Sequence, residues 1–528
     1  MYQMRGPSPE SAMSSRVRCC AALLAASAWP VTAARAADDA PAPPAPFHRV
    51  GEHAQPRARL TFRPWATKLT APISMSLGGE AVGGFPVDPE GTRYAPDPAL
   101  DAEVRVGLGF STADALSLLN IEAQYEQDLH TGWMLGGTEG FDGVAPPFVA
   151  GTENPLRKAY GRLSVGPFIT LTGGYMTSHW GLGLLANDGA HGFEPGSARF
   201  AKPRGGDRVL RGAVATGPWT SGKVLLQVAY DQVQGDDVLL YDDEATQMVA
   251  ALIVGYGAPR TVGLYGARRH QRAGDGRTTD VTAIDAYGRW TQVFGALKLT
   301  GELEAAYLTG DTELGPTPEH VRHDLRQFGA AGRIGLDAGC FGGVLDVLYA
   351  SGDQNQDDAE VNAFKADPNF EMGLFLYRHV LSAMSSRAPV RAADPELVGR
   401  PAPDLDRVPT RGSVTNTLAF FPRAYWRPVA GLEIFGGPLL ALAAAQPTDP
   451  RNTRLAGGDP RNALDGEPGR YLGTELDAGV RYSLLHDGMV VSAGLEGGVL
   501  LPGGAFVDAD GNDMGSVAGG RSTLRLSF

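Results

Sequence analysis

The segment Arg521-Ser522-Thr523-Leu524-Arg525-Leu526-Ser527-Phe528 alternates polar and apolar residues without a break. A strand has a side-chain period of two, so Leu524, Leu526 and Phe528 share one face while Arg521, Thr523, Arg525 and Ser527 share the other. Such a segment fits a wall with hydrocarbon on one side and water on the other.

The same grammar recurs through the chain. In Ala296 to Tyr307, the residues Leu297, Leu299, Gly301, Leu303, Ala305 and Tyr307 oppose Lys298, Thr300, Glu302 and Glu304. Glu103 to Phe110 and Thr474 to Tyr482 repeat it. From Arg57 onward, alternating segments of about ten residues are divided by Gly, Pro, Asn and Asp clusters, the spacing of tilted membrane strands. The expected fold is all-β: a transmembrane, antiparallel, up-and-down barrel spanning 57–528, of about 18 strands, with about 16 as the fallback. An open sheet edge would leave unpaired backbone groups in hydrocarbon, so the wall must close. A barrel of that size encloses a lumen wide enough for an aqueous channel.

Composition agrees. Seventy glycines, three cysteines and 43% hydrophobic residues among 528 exclude a helical membrane protein and a disulfide scaffold. The formal net charge of −13 argues against a nucleic-acid partner. The acidic runs at Asp236-Asp237, Asp242 to Glu244 and Asp353 to Glu360 read as solvated loops.

At the amino-terminal end, Arg16 and Arg18 precede an apolar stretch from Cys19 to Trp29, and Ala34-Arg35-Ala36 offers a cleavage site. Residues 1–36 are therefore expected to be a cleaved signal peptide, with Met13 as an alternative start. The stretch falls short of the roughly 20 apolar residues that span a bilayer. Residues 37–56, rich in Pro and Ala, read as a periplasmic leader. Cys340 would be the one cysteine left after cleavage, expected on the wall. Long loops are expected near 187–208 and 352–411, the second carrying Phe370 to Leu381 as a short helix folded into the mouth.

The stretch Val344 to Asp358, with its Ser351-Gly352-Asp353 turn, and the later Tyr471 to Tyr482 with Leu501 to Phe506 resemble alginate-export-type outer-membrane barrels over the last third of the chain. That resemblance implies an 18-stranded barrel passing a polyanionic polysaccharide through an arginine-rich constriction. An aromatic last residue on an alternating strand likewise resembles the signal read by the barrel-insertion machinery, here Leu524, Leu526 and Phe528.

Alternation places Arg105, Lys158, Arg162, Arg211, Arg289, Arg333, Arg423, Arg481 and Arg525 on the lumen face, together with Glu302, Glu304, Glu475 and Asp477. Guanidinium groups there would attract carboxylate or phosphate solutes. The mixed signs admit a second reading, cross-strand ion pairs that keep the wall wet. No catalytic or metal-binding spacing accompanies them, so neither enzyme chemistry nor a cofactor is expected. The expectation is a channel in the outer membrane of a Gram-negative-type envelope, passing small hydrophilic solutes or an anionic polysaccharide, with lipid and the insertion machinery as partners. The alternatives are a structural or adhesive barrel whose loops bind a partner and, third, a barrel hydrolase.

Overall fold

The computed structural model describes residues 59–62, 67–113, 118–133, 156–189, 206–240, 242–315, 317, 319–355, 358–392, 404–486 and 489–528. The expected signal peptide and leader lie outside them.

Eighteen strands form the wall: β1 Ile73–Val82, β2 Ala99–Ala113, β3 Leu119–Trp133, β4 Leu156–Val165, β5 Ile169–Thr177, β6 Arg208–Trp219, β7 Val224–Gly235, β8 Glu244–Val254, β9 Arg260–Arg272, β10 Thr278–Phe294, β11 Leu297–Thr312, β12 His323–Asp337, β13 Phe341–Ala350, β14 Thr417–Trp426, β15 Leu432–Leu442, β16 Tyr471–His486, β17 Met489–Pro502 and β18 Val517–Ser527. Each pairs antiparallel with the next, and β18 pairs with β1 from Gly519↔Val82 to Ser527↔Ser74. The sheet is thereby a closed cylinder, and the backbone of every wall strand has a neighbour on both sides.

The two faces follow from the alternation. Leu303 is 60% exposed on the outside while its neighbour Glu304, pointing inward, is 0% exposed. Leu108, Ile284, Ile334 and Leu495 continue the outward apolar surface. At the end with short turns, Phe341 stacks on Trp426 at 6.2 Å, and Phe168 meets Trp219 edge-on at 5.7 Å. These are the aromatic borders expected where such a belt meets headgroups. Leu524 and Phe528 also face outward.

Short connections at 166–168, 220–223, 255–259, 295–296, 338–340 and 427–431 mark one end, the periplasmic one in barrels of this kind. Cys340 lies in one of them and not on the wall. At the other end lie the described residues of the longer connections, 83–98, 178–189, 206–207, 351–355, 358–392, 404–416 and 443–470. The expected helix in the second long loop is a π-helical turn, Leu376–Leu381, running into α1, Ser382–Ala392. Both are packed inside the barrel mouth, where Leu376, Tyr377 and Val380 meet the inward Leu348, Phe421, Leu439 and Leu500 in one buried cluster. Apolar side chains on the inner wall at this level, which strict alternation of lipid and water would not supply, are explained by that inserted segment.

Candidate functional site in the lumen

The thirteen charged side chains expected to line the lumen divide into three groups. The first is a set of ion pairs set up by strand register. Arg105↔Asp128, Arg162↔Glu122, Arg211↔Asp231, Arg289↔Glu302 and Arg333↔Asp346 are directly opposed residues of neighbouring strands. Their N to O distances are 2.5, 3.4, 2.6, 3.7 and 2.6 Å. Lys158 reaches Glu126 at 3.3 Å. Directly opposed residues bring their side chains close enough for such pairs to form without backbone adjustment. Asp346 carries a second guanidinium, that of Arg423, on its other oxygen. Cross-strand pairing therefore accounts for most of the arginines read from the sequence.

A second group does not face open lumen at all. Glu304 and Glu475 are fully buried, Asp477 is 4% exposed, and Arg423 and Arg481 are covered as well. The first two are anchors for segments folded in from the extracellular end. Glu304 accepts the backbone N–H groups of Leu182 and, at 3.1 Å, of Leu184. Glu475 accepts those of Leu374, Phe375 and Leu376, the last two at 2.9 Å. In both segments a glycine at positive φ precedes the converging amides, Gly181 at +56° and Gly373 at +72°. A side chain there would collide with the very carboxylate being bound, Glu304 or Glu475. Thus wall glutamate and loop glycine form one device used twice, each carboxylate accepting two or three backbone N–H groups. Arg481 packs 3.9 Å over the Phe435 ring and pairs with Glu433 and Glu496 at 3.6 and 3.4 Å.

Arg525 is the third case. It stands on the inner face near the periplasmic end, partly exposed, and makes no ion pair among the described residues. Arg162, with its side chain 41% exposed, is the most open of the ion-paired lumen arginines named above.

Several functional side chains were not legible in the sequence. Trp180, on the inserted 178–189 segment, donates to Asp285 at 3.0 Å, its ring 5.2 Å from that of Tyr265. The 364–392 segment is latched to the wall by a chain of pairs. Arg521 donates to Glu371 at 2.7 Å, Arg378 contacts Glu371 and Glu80, and His379 meets Glu80 at 3.0 Å. Tyr377 and Thr417 share a hydrogen bond of 2.8 Å. A cluster of acids and bases interleaved between wall and loop was the available signal, but the wall partners Glu80 and Arg521 lie 298 and 150 residues from Arg378 and Glu371, where no periodicity reports them.

Between the inserted segments and the wall of β6 to β12 lies a cavity of about 540 Å³. Leu185, Val209, Val233, Leu308 and Leu325 give it a largely apolar lining. Lys365 enters it, donating to the carbonyls of Arg407 and Pro409 at 3.0 and 3.3 Å. Burial pushes its ammonium down to about 8 against the opposing pull of Asp237.

No family model matches the chain, and no curated protein does. Solved structures do. OccAB1 of Acinetobacter baumannii aligns over 87% of this chain and 96% of its own, at 8% identity and a TM-score of 0.50. OccK2 (OpdF) of Pseudomonas aeruginosa gives 11% identity and 0.49 over 87% and 97%. A BenF-like porin of Pseudomonas fluorescens Pf-5 gives 9% and 0.46 over 88% and 98%. At these identities the likeness is one of fold, a large barrel. None of the three is an alginate-export protein, so the finer resemblance of the last third finds no support among them.

Proposed function

We propose that this chain is an outer-membrane channel for small hydrophilic solutes, anions in preference, with a lumen narrowed by two segments pinned to its wall. The carrying observation is the inner face itself. It is polar and ion-paired from Arg162 and Arg289 near the periplasmic end up to the level where Glu304 and Glu475 anchor the inserted segments, a lining suited to water. A closed wall with that lining and an apolar exterior belongs in a bilayer, and the outward Leu524, Leu526 and Phe528 are the sorting signal for its insertion into the outer membrane.

Anion preference rests on which charges are left over. Most lumen acids are consumed by neighbouring guanidiniums, whereas Arg525 has no ion-pair partner among the described residues and Arg162 is only loosely held. Arg105, Lys158, Arg289 and Arg333 stand on the same wall, each already paired with a carboxylate. An unneutralised guanidinium facing water favours carboxylate and phosphate groups. The inserted segments argue for solutes of monomer size, since a polysaccharide of the kind implied by the alginate-export resemblance needs an unobstructed bore.

Reversal potentials across planar bilayers in a salt gradient test this reading. Anion selectivity that weakens in Arg162→Gln and Arg525→Gln supports it, and cation selectivity overturns it. The apolar packing of the 364–392 segment favours one competitor, a plugged barrel whose outer loops bind a partner. That competitor predicts a folded protein without conductance.

A further inference from the structure

The vestibule cavity contains two carboxylates that the bases of its lining leave unanswered. Asp207 precedes β6 and Asp367 lies on the inserted segment, and both line the cavity. The Asp207 carboxylate accepts the backbone N–H of Asn187, at 3.2 Å, and the Asp367 carboxylate that of Asn369, at 2.7 Å, together with the Asn369 side chain. Neither is in an ion pair among the described residues. The bases nearby are otherwise engaged. Arg269 is paired with Asp236, Arg407 donates to Asp243 at 2.9 and 3.0 Å, and Arg411 donates to the carbonyls of Asp237 and Asp406. Lys365 is held by two carbonyls, and Arg208 also has its own interactions.

Burial first, then repulsion from the neighbouring carboxylates, holds both acids well above the usual carboxylate range. Two adjacent carboxylates in a mostly apolar cavity are stabilised by a cation brought to them. A second feature of the same cavity also calls for a ligand. His323 lines it at 1% exposure with neither ring nitrogen hydrogen-bonded, and the hydroxyls of Thr415 and Thr448 on its wall are unpaired too. Buried polar atoms ordinarily have partners.

We propose that this cavity binds a small organic ammonium ion with an apolar body. Its N–H groups donate to Asp207 and Asp367, and its hydrocarbon packs against Leu185, Val209 and Val233. His323 supplies a further acceptor along the same lining. The site lies above the arginine-bearing wall, so it holds a solute of the opposite charge to the one the lumen favours, and it stands whether or not the barrel conducts.

Isothermal titration calorimetry on the full folded chain in detergent, with cyclohexylammonium, cyclohexanol and cyclohexanecarboxylate as probes, tests this. The ammonium should bind at least tenfold more tightly than the alcohol, and the carboxylate least. The double variant Asp207→Asn, Asp367→Asn should lose at least tenfold for the ammonium and little for the alcohol. Equal affinity for ammonium and alcohol, absence of binding by the ammonium, or undiminished binding by a folded double variant overturns the proposal. The three-probe comparison needs only the natural chain, so a variant that fails to fold leaves the test intact. Conductance measured on the same preparation separates failure of this site from failure of the channel.

Discussion

The Glu475 carboxylate receives the backbone N–H of Leu376 at 2.9 Å, joining a strand of the wall to a segment about 100 residues earlier in the chain. It holds the N–H groups of Leu374 and Phe375 as well, so one side chain fixes the turn that starts the π-helical segment.

Glu475→Ala leaves three buried donors unpaired, each costing about 1–3 kcal/mol. The 364–392 segment is then expected to leave the wall, raising single-channel conductance at least twofold and exposing Arg378, Arg387 and Arg391 to trypsin. Glu475→Gln, which keeps one acceptor oxygen, should fall between. Natural conductance and protease resistance in the alanine variant would show that the segment is held by its apolar packing alone.

Trp180 gives the other inserted segment a spectroscopic handle. Its indole N–H bonds Asp285 and its ring lies on Tyr265. Asp285→Ala should shift tryptophan emission to the red as the ring is released to water, whereas Glu475→Ala should not, because the two anchors sit on different strands. A shift from both variants would mean that the segments move as one.

The wall arginines should separate by burial. Asp346 joins Arg333 and the buried Arg423, and replacing it with Asn leaves two guanidiniums side by side. Loss of a buried partner costs about 3–5 kcal/mol, so heat-modifiability on gels should move to clearly lower temperature in Asp346→Asn. Arg162→Gln removes an exposed pair worth about 0–1 kcal/mol. Its melting should stay put while selectivity changes.

Alternation made the wall readable because every strand lies between two solvents, and Ala296 to Tyr307 shows this residue by residue. The same alternation put Glu304 and Glu475 on the correct face but could not tell a solvated carboxylate from one capped by a loop. That distinction depends on Gly181 and Gly373, whose positive φ turns amides toward the wall, and a glycine in a glycine-rich chain carries no such label. Phe370 to Leu381 was legible as an inserted apolar run, since it is too apolar for an exposed loop. Its latch was not, because Glu80, the Glu371–Arg378 segment and Arg521 come from three separate parts of the chain.

Lys365 yields a pH dependence of definite sign. Its ammonium titrates near 8 in the folded vestibule, below its ordinary value of 10.5. Between those values the unfolded loop binds more protons than the folded one, so stability rises as pH increases through the window and is level below it. Limited proteolysis of the 351–416 loop, corrected for protease activity, should slow from pH 8 to 10. Lys365→Met should abolish that slope. A slope of the opposite sign would place the charged form as the favoured one.

The most direct test is single-channel recording of the purified, folded chain in a planar bilayer under a salt gradient. Discrete conducting steps with a reversal potential on the anion side are expected, and larger steps when Glu475 is replaced by Ala. A correctly folded protein that inserts yet conducts nothing, in both natural and Glu475→Ala forms, would contradict the proposed channel.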